Sequence, residues 1–240
     1  MAACNKEEFL SRISQALGRR AVPDIIPDSY NYNSGLQYSY LRGLSDEEMR
    51  AVFAKEAPVR DFTYLECTAE ELPAQLAALV EKEAPRHITC PLETACEGVN
   101  LYALMQNAAN DSMEVYGYDP EAEPVSQRAT LEGSDMSVTV PFRAIADTGT
   151  YVEISDKTAS KGLSLLAPAH VAVIPQSRLR ATLTDVCQEF EQMRAKAGAA
   201  GYPSYIALVS GPSSTGDIAN VLVTGVHGPT REYYLVVKDL

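Results

Sequence analysis

His170-Val-Ala-Val-Ile-Pro175 decides the fold, because it contains a continuous apolar run of strand length. A second apolar run, Tyr205-Ile-Ala-Leu-Val209, leads directly into a segment rich in Gly and Ser. Short apolar runs without polar alternation are typical of strands that are buried on both faces of a parallel sheet. We therefore predict strands over 171–174 and 205–209, both at central positions of one sheet.

Short strands alternate with helices along the rest of the chain. Apolar and β-branched stretches predict further strands over 62–65, 87–90, 114–118, 137–141, 151–154 and 233–237. Apolar spacing and capping residues predict helices over 5–18, 45–57, 68–82, 101–105, 184–197 and 217–224. This alternation is typical of an α/β fold with a mainly parallel sheet flanked by helices. We predict one such domain over 59–240, preceded over 1–58 by an N-terminal helical extension with a Tyr-rich arm.

The composition narrows the classes of partner. The chain has 240 residues and a formal net charge of −12, so most of its surface repels nucleic acid. The first ten residues are polar and helix-like, unlike a secretion signal, and no window reaches the ~18 apolar residues of a membrane span. We therefore expect a cytoplasmic protein with no membrane span and no nucleic-acid partner.

The cysteines and histidines do not predict a metal site. No two of the five cysteines form Cys-x-x-Cys, and the closest pair, Cys90 and Cys96, lacks a zinc or iron–sulfur spacing. The three histidines, at 87, 170 and 227, are far apart in the sequence. We expect free, mostly packed thiols and neither a metal nor a cofactor in this chain.

The segment from Ser210 to Ile218 joins a predicted strand to the helix predicted over 217–224. A Gly-rich loop that ends at a helix N-terminus presents unpaired backbone N–H groups and the positive end of the helix dipole, which together bind phosphate or carboxylate groups. The alternative is a tight turn whose hydroxyl groups only cap the helix. The first interpretation assigns contacts with a small anionic ligand to Gly211, Ser213, Ser214, Thr215 and Gly216.

Two further loops follow predicted strands or lead into them. Ligands of parallel α/β sheets bind outside the carboxyl ends of the strands, so loops 147–150, 175–178 and 210–216 are the predicted locations. Thr148, Gly149 and Thr150 form either a second ligand cradle or a turn that leads into a strand.

Four ionisable residues have both a functional and a structural interpretation. Asp217 is either an acid or base or a charge that complements the helix dipole. His227, between Gly225 and Gly228, is a catalytic or ligand-contacting candidate, whereas His170 at the start of a buried strand is a ligand contact or a structural histidine. Glu153 is a catalytic carboxylate or faces solvent.

Four segments occur in a characteristic order: Ala146-Asp-Thr-Gly-Thr-Tyr-Val152, Leu163-Ser-Leu-Leu-Ala-Pro-Ala-His-Val-Ala-Val-Ile174, Ser210-Gly-Pro-Ser-Ser-Thr-Gly-Asp-Ile218 and Gly225-Val-His-Gly-Pro229. Together they resemble the LUD-domain family, and within it the lactate-utilisation protein C group. Residues 9–18 also resemble the start of that group. The sequence departs from the family pattern in three places: Lys161 replaces the usual Arg, Pro168 stands one position late, and Gly216 replaces Ala.

The resemblance implies a fold similar to the sugar-phosphate isomerase and CoA-transferase-like superfamily, related to 5-formyltetrahydrofolate cyclo-ligase. It implies a non-redox role in oxidising L-lactate to pyruvate, together with cysteine-rich and iron–sulfur partner proteins that hold the clusters. Lys161 is then a mobile cation that closes on an anionic ligand, or else a solvated loop charge. The alternatives are a stand-alone CoA-transferase-like or phosphosugar-isomerase-like enzyme and a ligand-sensing regulatory module. Homo-oligomerisation stays open.

Overall fold

The computed structural model describes residues 6–19, 35–93, 98–119, 121–154, 161–197, 202–217 and 220–240. The chain forms two compact units, Met1–Tyr40 and Leu41–Leu240. The first unit contains helix α1 (Lys6–Ala16) and a 3-10 turn at Leu36–Tyr38. Most of the predicted Tyr-rich arm lies outside the described residues, and the domain boundary after residue 58 stays a prediction.

A six-stranded sheet, parallel throughout, forms the centre of the second unit. Its strands, in spatial order, are β1 (Thr63–Cys67), β12 (Arg231–Val237), β7 (Ala169–Pro175), β4 (Met136–Thr139), β2 (His87–Pro91) and β3 (Glu114–Tyr118). Every residue of β7 is buried, as expected for a strand in a sheet that is covered on both faces. The central position predicted for 171–174 is therefore confirmed.

Helices connect most of these strands. They are α2 (Asp46–Arg60), α3 (Leu72–Glu83), α4 (Leu101–Ala108), α5 (Pro124–Glu132), α6 (Lys161–Leu165) and α7 (Leu183–Ala197). Helix α2 begins at the predicted capping box, in which the Ser45 hydroxyl accepts from the Glu48 N–H and the Glu48 carboxylate accepts from the Ser45 N–H. Helix α5 lies in a stretch for which the sequence pattern predicted no helix.

A second sheet has four strands, in the order β8 (Leu179–Arg180), β5 (Arg143–Ile145), β6 (Thr150–Ile154) and β9 (Ile206–Val209). Strand β9 pairs antiparallel with β6 and lies at the edge, where the Leu208 side chain is 53% exposed. The prediction of a central, doubly buried strand over 205–209 is therefore wrong, although a strand does form there.

A helix was predicted over 217–224, but the described residues of that range, 217 and 220–224, are not helical. Instead, β10 (Ser214–Thr215) pairs antiparallel with β11 (Val223–Thr224), which makes a short hairpin. The helix prediction is wrong, because residues 214–215 find backbone partners in residues 223–224. Among the described residues, no helix begins directly after the 210–216 loop, so the helix dipole expected there is not found in them.

The sheets and helices stack in layers around three hydrophobic clusters. One face of the six-stranded sheet packs against α3 and α4, through residues such as Leu76, Met105 and Val173. Its other face packs against α2 and the second sheet, through Phe53, Tyr151, Ile174 and Tyr234. The second sheet then packs against α7. The predicted α/β class, with a mainly parallel sheet flanked by helices, is confirmed, whereas the link to the CoA-transferase-like superfamily stays a prediction.

Candidate functional site

Three polar residues form a row across the central sheet. Ser137 on β4 and Glu232 on β12 are both register partners of His170 on β7. Register partners in neighbouring strands project their side chains from the same face of a sheet. All three are at most 2% exposed, and they lie in the layer between the two sheets. A carboxyl group and an imidazole are rarely buried this completely unless they are paired.

Hydrogen bonds link this row into a longer chain. Nδ1 of His170 lies 2.8 Å from Oε2 of Glu232, and Nε2 of His170 lies 2.9 Å from Oγ1 of Thr139. Thr139 in turn donates to Oε1 of Glu153 at 3.0 Å. When Glu153 is ionised, Thr139 donates its proton to Glu153, and Nε2 of His170 then donates in its own bond to Thr139. The result is a chain Glu153–Thr139–His170–Glu232 with carboxyl groups at both ends.

Two hydroxyl groups support the ends of this chain. The Tyr151 hydroxyl lies 3.2 Å from Nδ1 of His170 and is also hydrogen-bonded to Glu232. The Ser164 side chain, on α6, is hydrogen-bonded to Glu153. Strand β6 thus contributes Tyr151 and Glu153, two residues apart and therefore on the same face. The alternative in which Glu153 faces solvent does not hold, because this side chain is 3% exposed.

Burial and mutual charge shift the protonation of all three ionisable groups. Burial raises the pKa of Glu232, an effect that the neighbouring imidazole of His170 partly offsets. Burial likewise raises the pKa of Glu153. For His170, burial alone would lower the pKa, but the carboxyl groups of Glu232 and Glu153 outweigh it and raise the pKa. Such shifts are common at functional sites, since acid–base chemistry requires them.

Two atoms of the cluster are left without hydrogen-bond partners among the described residues. They are Oγ of Ser137 and Oε1 of Glu232, both fully buried. An unpaired polar atom in a protein interior costs about 1–3 kcal/mol, so native structures keep few of them. The pair flanks His170 on the same sheet face, which concentrates unused hydrogen-bonding capacity in one place.

The predicted anion loop is anchored to the body of the domain by its own backbone. The N–H of Gly211 donates to the Tyr234 hydroxyl at 2.8 Å, and the N–H of Ser213 donates to the carbonyl of Pro229 at 2.9 Å. The Ser210 hydroxyl donates to the carbonyls of Thr148 and Gly149. The loop therefore brings together the predicted segments 147–150 and 210–213, but these two N–H groups are already used. Contacts of this loop with an anion stay a prediction.

The hairpin loop also contacts the segment that leads into β7. Gly228 packs against the Ser213 side chain and close to the carbonyl of Leu165, one residue after Ser164. At the base of the loop, the N–H and the hydroxyl of Thr230 both donate to the carbonyl of Pro168, two residues before His170. Ser213, Gly228 and Leu165 therefore lie together.

The remaining predicted site residues are spread around the hairpin. His227, Asp217, Ser214 and Gly216 are exposed, and Thr215 accepts a hydrogen bond from the Asp217 N–H. The Lys161 side chain lies outside the part of the chain that the structure describes. Of the residues named from the sequence, the structure places His170 and Glu153 inside the buried cluster, and Thr150 lies on the same strand as Glu153.

Sequence reasoning missed Ser137, Thr139, Tyr151, Ser164 and Glu232. A signal for Glu232 was present, since a glutamate at the start of an otherwise apolar strand lies on the same face as Tyr234, two residues later. The cluster also lies toward the amino ends of β7 and β12, where the rule for parallel sheets does not place sites.

The described residues offer neither a metal-binding cluster nor a membrane-spanning helix. No three His, Cys, Asp or Glu side chains in them are grouped in a way that could hold a metal ion. None of the helices found there is long and apolar enough to cross a bilayer. Of the cysteines described, Cys67 and Cys90 are buried free thiols and Cys187 is an exposed one.

Comparison with known proteins gives consistent matches. A family model described as the LUD domain matches residues 51–237. Lactate utilization protein C of an Exiguobacterium species is 28% identical, and the match covers 98% of this chain and 97% of that protein. Lactate utilization protein C of Bacillus subtilis is 26% identical, with 98% and 97% covered. Lactate utilization protein C 1 of Bacillus mycoides is 27% identical, with 100% and 99% covered.

A solved structure shares the fold. The crystal structure of a DUF162 family protein from Deinococcus radiodurans superposes with a TM-score of 0.57 at 22% sequence identity. The match covers 81% of this chain and 99% of that one. At this identity the likeness supports the architecture alone.

Proposed function

Because the chain belongs to the LUD domain family, we propose that it is a component of a lactate utilisation system. The observation that carries the proposal is the match to several proteins named lactate utilization protein C over nearly their whole length, 97% in the Exiguobacterium relative. We extend the proposal to the non-redox part of L-lactate oxidation to pyruvate, which the sequence resemblance implies.

Within such a system the chain acts beside iron–sulfur and cysteine-rich partner proteins and binds a small anionic ligand. The hairpin with its exposed apolar residues Val221 and Leu222 supports a role in contacts, since these side chains are 60% and 72% exposed. The hydroxyl groups of Ser213 and Thr215 and the exposed His227 are the residues offered to an anion.

Growth on L-lactate tests the role. A strain that lacks only this gene should fail to grow on L-lactate and grow normally on glucose. Wild-type complementation should restore growth, whereas the triple variant Ser213→Ala/Thr215→Ala/His227→Ala should not. As a matched control, substitution of exposed hydroxyl and acidic residues far from the loop, Ser126→Ala with Glu47→Gln, should complement fully. Normal growth of the deletion strain would refute the lactate role.

Purification from the native source tests the partners. Under anaerobic conditions, the tagged chain should retain proteins that carry iron–sulfur absorbance, and a variant with Val221→Asp and Leu222→Asp should retain less. If no cluster-bearing protein accompanies the wild-type chain, the partner assignment is wrong even if the growth result holds.

A second candidate function is a stand-alone enzyme of the CoA-transferase type. The specific observation in its favour is the buried chain Glu153–Thr139–His170–Glu232, because carboxyl groups with raised pKa values cluster at catalytic sites. Incubation of the pure protein with acetyl-CoA and L-lactate would then yield lactoyl-CoA and acetate, detectable by mass spectrometry. The absence of lactoyl-CoA with wild-type protein would remove this candidate for that pair of substrates.

A further inference from the structure

The unused polar atoms of the buried row point to a ligand. Oγ of Ser137 and Oε1 of Glu232 have no hydrogen-bond partner among the described residues, although both side chains are at most 2% exposed. They lie one strand to either side of His170, so about 10 Å separates their Cα atoms across two strand spacings. Both side chains project into the layer that His170 occupies. This row therefore contains one carboxyl oxygen and one hydroxyl that no described residue of the protein uses.

The charges around this row select the kind of molecule. Within the described part of the chain, Glu232 forms an ion pair with His170 alone, and Glu153 forms no ion pair with a Lys or Arg side chain. Among the described residues, a carboxylate or phosphate at this depth would face two carboxyl groups with one imidazole to offset them. A neutral group that donates a hydrogen bond suits Oε1 of Glu232 far better, since a carboxylate oxygen accepts.

We propose that Ser137, His170 and Glu232 form a buried binding site for a small uncharged molecule that carries a hydroxyl group. The ligand hydroxyl donates to Oε1 of Glu232, and Ser137 bonds to the same hydroxyl or to a neighbouring polar group of the ligand. His170 holds the Glu232 carboxyl group in place through Oε2. This site is separate from the predicted anion loop and goes beyond the lactate role.

The ligand reaches the site only when the protein around it moves. Ser137, His170 and Glu232 are all at most 2% exposed, so the surrounding structure must open before a ligand can enter. We therefore expect exchange that is slow on the NMR chemical-shift timescale, with separate signals for free and bound protein.

NMR of the histidine rings in the full-length protein tests the site. The chain has three histidines, so His87→Gln and His227→Gln variants, both at exposed or half-buried positions, identify the His170 ring signal by elimination. The probes are L-lactamide, which carries a hydroxyl and no charge, propionamide, which lacks the hydroxyl, and L-lactate, which adds a charge. We expect L-lactamide to shift the His170 signal saturably, propionamide to leave it in place, and L-lactate to bind at least about 10-fold more weakly than L-lactamide.

Variants separate binding from structure. Ser137→Ala removes a hydroxyl with no partner among the described residues, so it should leave the unfolding midpoint unchanged or higher while weakening L-lactamide at least about 10-fold. Glu232→Gln should weaken it similarly, and Glu47→Gln on the exposed face of α2 should bind as the wild type does.

Three results would overturn the proposal. A His170 signal that no probe shifts, up to the solubility limit, would mean that a buried water molecule alone satisfies the two atoms. An equal shift with propionamide would exclude the hydroxyl contact, and unchanged binding in Ser137→Ala would exclude that residue. Because the assay uses pure protein, its outcome is independent of growth on lactate.

Discussion

Replacing Gly211 by Ala tests how the hairpin loop is held to the domain. Gly211 has φ of +72°, and a Cβ built on it would lie 1.8 Å from the carbonyl oxygen of Arg60, at the end of α2. A carbon–oxygen contact is normally no shorter than about 3.3 Å, so the loop or the helix end must move by roughly 1.5 Å. That movement stretches the hydrogen bond from the Gly211 N–H to the Tyr234 hydroxyl.

The expected loss combines two terms. The left-handed conformation costs an alanine about 1–2 kcal/mol, and a forced shift in a packed region costs about 1–3 kcal/mol more. We therefore expect Gly211→Ala to lower the free energy of unfolding by about 3 kcal/mol. For a chain of this size, that lowers the midpoint of thermal unfolding by about 6–12 °C.

Gly43→Ala is the matched control. Gly43 has φ of +75° but no atom within 4 Å of the position of its Cβ, so it carries the conformational term alone, about 1 kcal/mol. The free energy of unfolding of both variants is measured in urea by circular dichroism, because the chain has 13 Tyr and no Trp whose fluorescence could report unfolding. If Gly211→Ala loses no more stability than Gly43→Ala, the contact with Arg60 does not constrain the loop and the reasoning is refuted.

Two other variants probe the same layer. Tyr234→Phe leaves the buried N–H of Gly211 without its acceptor, so the free energy of unfolding in urea should fall by about 1–3 kcal/mol. The control is Tyr64→Phe, which removes an exposed hydroxyl bond and should lower the free energy of unfolding by under about 0.5 kcal/mol. Burial raises the pKa of Glu153 in the folded state. The wild type therefore loses stability as the pH rises from the unfolded pKa, about 4.3, toward the folded pKa. Glu153→Gln removes this titration, so the stability of the variant should depend less on pH. Equal losses in both proteins between pH 4.5 and 7.5 would contradict this assignment.

The central layer could be predicted from the sequence because a buried strand appears as an apolar run of neighbouring residues. The apolar run 171–174 and the alternation of short strands with helices are properties of neighbouring residues, and the parallel sheet flanked by helices follows from them. The capping box at Ser45 and Glu48 is equally local, since its two hydrogen bonds join residues three apart. These features needed no knowledge of distant contacts.

The hairpin loop shows where local reasoning failed. Val223 and Thr224 pair with Ser214 and Thr215, and this pairing, which the sequence pattern does not reveal, overrides a moderate helix propensity. Strand β9 was predicted correctly as a strand but placed wrongly, because apolar composition does not distinguish a central strand from an edge strand that faces another layer.

The buried cluster depended on tertiary structure alone. His170 and Glu232 are 62 residues apart, and they meet because β7 and β12 are neighbours in one particular register. A shift of one residue in that register would turn Glu232 to the opposite face of the sheet and separate it from the imidazole. The sequence by itself determined most of the strands and helices of the central layer, through burial patterns of adjacent residues. Strand order and register, set by packing between distant segments, decided which polar side chains share a site.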